Sequence, residues 1–393
     1  MHMTRHATLT AGLLISALAL SACGGDNDDA EAAEDMEVGS VDLAAAGCPD
    51  PLRLQTDWNP QAEHGHLYKL LDGGDYEIDD QELSVTGPLM TSGEYTGIDV
   101  TVLAGGPAVG YTAPNAQMYQ DSSIFMGYVN SGELVDHAEE LPTVAVYAPL
   151  QMSPQMIQWD PETYPDVDSI ADLGQTTDDS GNLVTVRVND GATFADYLVG
   201  AGILQAEQID PTYDSTPAVF VSEQGQIAQQ GFASAEPYIY EHDVQEWGRP
   251  VAWELVNEAG YPIYQALMAT RPENVEEYSD CLEALVPVLQ QASIDFYEDP
   301  DSTLGLILEA VDAYDTGWVY GEEVAEYSIA TQQEAGIVGN SPDGVNGSID
   351  PERIEDMIQI TEDYIDGADF PEGMSAEDIF TNEFIDESIS YDH

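Results

Sequence analysis

The sequence predicts an α/β protein of two lobes with mainly parallel sheets. Short apolar runs alternate with amphipathic stretches along most of the chain, the pattern of strands and helices in succession. About 345 residues separate Cys48 from His393, more than one core usually holds. Hydrophobic residues make up 43% of the chain, with five Trp and 21 Tyr, so large cores can form despite a formal charge of −68.

Leu52–Gln55 alternates apolar and polar side chains and is expected as the first strand. Asn59 and Pro60 then suit the N-cap and first position of a helix with Leu67, Leu70 and Leu71 on one face, ending at Gly73-Gly74. Further strands are expected at Ile98–Leu103, Ser123–Gly127, Thr143–Ala148, Leu183–Val188, Ala218–Val221 and Ile263–Ala269. Helices are expected around Gly132–Glu139, Thr193–Ala201, Glu223–Gln230, Val275–Tyr297, Ser302–Ala313, Pro351–Tyr364 and Ala376–Ile379.

Residues 1–22 read as a lipoprotein signal peptide. A basic start at Arg5 leads into the apolar run Ala11 to Leu20, too short to span a bilayer, and then into Leu20-Ser21-Ala22-Cys23. Small residues before the cysteine leave the backbone open to a peptidase, so Cys23 is the expected lipidation point. Residues 23–47, rich in Asp, Glu, Gly and Ala, are expected as an acidic tether. The protein is thus expected to be extracytoplasmic, lipid-anchored to the outer face of the cell membrane.

Removing the signal takes away Arg5 and no acid, which leaves 75 acidic against six basic residues. Such self-repulsion is tolerable where salt screens it, since the Debye length falls to about 3 Å at molar salt. A halophilic acidic surface is the natural reading; the near absence of lysine suits an alkaline habitat equally. The same charge excludes nucleic acid and anionic lipid surfaces as partners, both of which are bound through Lys and Arg. With Cys23 lipidated, Cys48 and Cys281 remain, either as a disulfide, which the oxidising compartment favours, or as two buried thiols.

Catalytic signatures are missing: there is no Gly-x-Ser-x-Gly elbow, Walker loop or His-Glu-x-x-His. Carboxylate pairs such as Glu139-Glu140 carry little information among 75 acids. His64 and His66, two apart on a helix, point roughly 200° away from each other and cannot share a zinc ion. No metal and no cofactor are therefore expected.

The run Trp58-Asn59-Pro60-Gln61-Ala62-Glu63-His64-Gly65-His66-Leu67-Tyr68 resembles the Trp-x-Pro-x-x-x-His-x-Gly-Leu-Tyr opening of a family of solute-binding lipoproteins. These serve ABC importers for the thiamine pyrimidine precursor and, in relatives, for sulfonates, taurine, nitrate or riboflavin. Trp58, Pro60, His64, Leu67 and Tyr68 match, while His66 replaces the family's glycine. Ser153-Pro154-Gln155, Asp172-Leu173-Gly174, the run from Gln230 to Tyr238 and Thr381-Asn382-Glu383-Phe384 resemble further pieces in the family's order. The resemblance implies the periplasmic-binding-protein fold: two lobes joined by two crossovers, with a ligand cleft between them. Lobe I would comprise residues 48–155 and 260–393, and lobe II residues 156–259. It implies a monomer that delivers a small molecule to an ABC permease and is no enzyme; a pyrimidine-synthesising relative on the same fold is the alternative.

The resemblance and the strand ends together suggest the ligand-binding residues. Trp58 offers an aromatic face, with Asn59 beside it; His64 and Ser153 offer donors or acceptors. Thr193 and Phe194 open a helix, and Glu236 and Tyr238 follow a later strand. This set suits a neutral or cationic nitrogen heterocycle such as a thiamine precursor over a sulfonate, taurine or nitrate anion. Cys23→Ala is expected to abolish fatty-acid incorporation and signal processing; equal metabolic labelling of the two proteins would show that the thiol is not the anchor.

Overall fold

The computed structural model describes residues 36–178, 180–365, 367–368 and 370–392. The signal peptide, Cys23 and His393 lie outside the described residues. From Val38 on, the stretch read as a tether already lies on the protein. Val38 bridges to Tyr95, Ser40 donates twice to the Glu94 carboxylate, and Leu43 is fully buried.

Two sheets organise the chain. The first runs β2 (Glu77–Asp79), β3 (Ser84–Thr91), β4 (Glu94–Leu103), β1 (Leu52–Gln55), β5 (Ile124–Val129), β12 (Leu267–Thr270) and β6 (Val144–Tyr147). The second runs β11 (Ala252–Leu255), β7 (Gln155–Trp159), β10 (Ala228–Phe232), β8 (Val186–Arg187) and β9 (Ile209–Asp210). The chain therefore leaves the first sheet after β6, builds the second, and returns at β12.

The expectation of mainly parallel sheets is corrected. Only β1 with β4 and β5, and β8 with β9 and β10, pair in parallel; the other six pairings described are antiparallel. One reason is local. Ser92 and Gly93 both hold positive φ, 50° and 78°, the twist that closes a two-residue hairpin between β3 and β4. The other is topological: the chain goes out along β6 and β7 and comes back along β11 and β12, and each outward strand neighbours its return strand.

Between residues 217 and 232 the predicted order is reversed. Ala218–Ser222 is a helix behind Pro217, with Phe220 buried against Tyr240 and Trp247. The following stretch, expected as a helix, turns at Gln224-Gly225 and becomes β10. Its buried glutamines hide it from a hydrophobic pattern. Gln229 donates to the Tyr240 hydroxyl, and Gln230 accepts from the Asn189 N–H. The helix expected from Pro60 opens as a 3₁₀ turn, Ala62–His64, continued by Gly65–Lys69. Asn59 is not its N-cap: it is buried and accepts from the Thr316 hydroxyl instead.

Cys48 and Cys281 form a disulfide that ties the segment before β1 to the long helix Ser279–Glu298. Bridging 233 positions removes much freedom from the unfolded chain, worth about 5 kcal/mol in the chain-entropy model. Reduction in molar salt is expected to lower the melting temperature markedly, as followed by circular dichroism; an unchanged transition would show that the bridge adds nothing to stability.

Candidate functional site

Parallel strands send their carboxyl ends to one edge of a sheet, and loops gather there. Asp57 and Trp58 follow β1, Gly105 follows β4, and Asn130 follows β5. The loops after β1 and β4 touch so closely that a Cβ at Gly105 would lie 2.2 Å from the Thr56 carbonyl oxygen, which only glycine allows. Opposite this edge, the second sheet presents Asn189 to Phe194 beyond β8, and Gln230 from β10.

A cavity of about 310 Å³ lies between the two edges. Asn130, Glu133 and Asp136 line it from the first sheet's side; Asn189, Asp190, Thr193, Phe194 and Gln230 line it from the second. Gln155, Val256, Tyr261, Ile263 and Gln265, where the chain crosses between sheets, close its back.

Three carboxylates, Glu133, Asp136 and Asp190, line the cavity. Asn130 caps the helix Ser131–Asp136 by accepting from the Glu133 N–H at 2.9 Å, which aims the first turn at the cavity. Burial, reinforced by the nearby Asp57 carboxylate, pushes the Glu133 carboxyl up to about 7. No Lys or Arg lines the cavity. All six basic residues beyond the signal are engaged elsewhere. Arg53 pairs with Glu82, Lys69 with Asp72, Arg187 with Asp210, Arg249 with Asp160 and Arg271 with Glu273, while Arg353 donates to backbone carbonyls.

Of the residues singled out in the sequence, Thr193 and Phe194 line this cavity, and the Thr193 hydroxyl meets that of Tyr261 at 2.8 Å. Ser153 stands behind it, donating to Gln265 at 2.9 Å. The others lie outside its lining. His64 bonds Asp57 at 2.9 Å and is fully enclosed. Beside it, buried Glu63 accepts from the hydroxyl of Ser234, a lobe-to-lobe hydrogen bond, and burial pushes its carboxyl up. Glu236 accepts from the Phe232 N–H at 2.8 Å, and burial raises it to about 7. Tyr238 packs on His242 and on Tyr327. Trp58 leans on Tyr111 and Trp318, half-buried. His66, in place of the family's glycine, stacks on Tyr128 and is driven down to about 3 by burial.

Sequence reasoning missed Asn130, Glu133 and Asp136. A signal was present: Asn130 ends an apolar run and Glu133 stands three residues on, the spacing of a capped helix start.

No family model matches the chain, and no curated protein matches its sequence. Solved structures do. A protein from Bordetella bronchiseptica RB50 aligns over 86% of this chain and 96% of its own, at 12% identity and a TM-score of 0.52. The periplasmic aliphatic sulphonate binding protein SsuA from Escherichia coli aligns over 83% and 95%, at 14% identity and a TM-score of 0.50. The fold is that of the periplasmic binding proteins. In that fold the cavity between the two edges is the cleft between the lobes.

The raised carboxyls make stability pH-dependent. Glu133 and Glu236 hold their protons up to about 7 when folded but release them near 4.3 when unfolded. Their contribution is therefore complete below the unfolded value and is lost as pH rises through 7. In molar salt the urea midpoint is expected to fall between pH 5 and pH 8, and Glu133→Gln to flatten that fall. A variant with the full wild-type slope would show that Glu133 is not protonated in the fold.

Proposed function

We propose that this chain is an extracytoplasmic receptor, anchored by a lipid on Cys23, that captures a small organic solute between its lobes and delivers it to an ABC importer. The observation that carries the reading is the cleft: both lobes line it, and lobes that contact one ligand from two sides close upon it by population shift. The lipoprotein signature at Leu20–Cys23 and the likeness of fold to a periplasmic binding protein support the same reading. The role needs no catalytic group, and the ordered motif matches favour it over an enzyme on the same fold.

The favoured ligand is a neutral or cationic nitrogen heterocycle, of the thiamine-precursor kind, rather than a sulfonate, taurine or nitrate. An anion entering this cleft would meet Glu133, Asp136 and Asp190 with no cation to receive it. The amides of Asn130, Asn189 and Gln230 and the ring of Phe194 suit the polar edge and flat face of a heterocycle. Trp58, Asn59, His64, Ser153, Glu236 and Tyr238 complete the proposed set around the interface, as contacts in the ligand-bound form or as supports for it.

Calorimetric titration in molar salt with an aminopyrimidine, riboflavin, taurine and nitrate tests the ligand class. The aminopyrimidine or the flavin is expected to bind, and at pH 8, where Glu133 is ionised, Glu133→Gln to weaken a cationic ligand at least tenfold, the loss of about 1.4 kcal/mol. Tight binding of taurine or nitrate, unmoved by Glu133→Gln and Trp58→Ala, would overturn both the ligand class and the site.

A further inference from the structure

The helix Pro351–Tyr364 belongs to neither lobe alone. Ile354 and Ile358 are buried with Leu134, Val135 and Tyr264 on the first sheet's side. Met357 and Ile360, on another face of the same helix, are buried with Phe194, Leu198 and Val256 on the second sheet's side. At its end the Tyr364 ring lies so close on Gly200 that a Cβ there would come within 2.3 Å, and it stands edge-on to Tyr197 at 5.5 Å. Thr361 and Ile365 line the cleft.

Arg353, in the first turn of this helix, reaches both crossovers at once. Its Nη1 donates to the carbonyl of Gln151 on the outward crossover. Its Nε and Nη2 donate to the carbonyls of Pro262 and Ile263 on the return crossover, at 2.5 and 2.6 Å. The guanidinium also lies 3.7 Å above the centre of the Tyr264 ring. Only a planar fork can serve two chain segments and stack at the same time; a lysine ammonium cannot. Nearby, Ser153 and Gln265 join the same two crossovers by their side chains.

We propose that Arg353 is the positioning residue of the hinge: it holds the two crossovers in fixed relation, and the helix it opens straps lobe I to lobe II through Tyr364. The strap sets how far the cleft opens at rest, so Arg353, which is outside the cleft lining, tunes the affinity of whatever the cleft takes without touching it. The conformational part stands whether or not the solute-receptor reading does.

The test needs no ligand. Spin labels on Glu139→Cys and Glu207→Cys, one exposed position in each lobe, report the inter-lobe distance by pulsed electron resonance in the full chain carrying Cys23→Ser. The unaltered strap is expected to give one narrow distance. Arg353→Ala is expected to raise a longer-distance population about tenfold, Arg353→Lys to give an intermediate rise, and Tyr364→Ala to give the same longer distance from the other end of the helix. Far-UV circular dichroism identifies the variants that fold; if Arg353→Ala does not, Arg353→Lys and Tyr364→Ala decide. A lowered melting temperature with unchanged distances in the folded variants would reduce Arg353 to a structural residue and overturn the proposal.

Discussion

Scarcity of positive charge constrains this molecule more than any other feature. Six cations face 75 carboxylates, so the fold cannot neutralise its surface and relies on dispersing it in solvent. The cations are instead used as cross-links between distant segments. Arg249 meets the buried carboxylate of Asp160, Arg271 gathers the carbonyls of Met118, Ser122 and Ile124, and Lys69 reaches Asp299. Arg187 holds Thr212 and Asp210 beside β8. With every cation so engaged, the cleft is left to carboxylates, amides and rings.

That has a direct electrostatic consequence. Around the cleft, the Asp57 carboxylate makes ionisation of Glu63 and Glu133 harder, and Glu63 does the same to Glu236. Burial does most of the work, opposed at Glu63 by the Ser234 hydroxyl and neighbouring His64, at Glu133 by hydrogen bonds with Asn130, and at Glu236 by the Phe232 N–H. Such a site resists a further negative charge and gains from a positive one. The proposed ligand preference thus follows from the composition that also governs solubility.

Much of the architecture was legible along the chain. The strand Leu52–Gln55 and the helices Thr193–Gly200 and Pro351–Tyr364 occur where apolar spacing put them. Failures came where side chains other than aliphatics fill the interior. β10 carries Gln229 and Gln230 inward, paired by hydrogen bonds that no local pattern announces. Ala218–Ser222 looks like a strand because Val and Phe favour one, yet Pro217 and the cluster of Tyr240 and Trp247 make it helical. Thr193 and Phe194, singled out because a helix start after a strand is a local feature, line the cavity. Glu133 was lost among the acids, since only burial distinguishes one carboxylate from another.

By itself the sequence determined the α/β class, the cysteines able to pair and the shortage of cations, because alternation, residue type and charge are properties of the chain and survive any arrangement of it. Sheet direction, the lining of the cleft and the reach of Arg353 to both crossovers were decided only in the tertiary structure. Each depends on which segments lie side by side, and Arg353 stands 202 positions from Gln151 along the chain. No local signal spans that distance; only the packing of the two lobes brings those groups together.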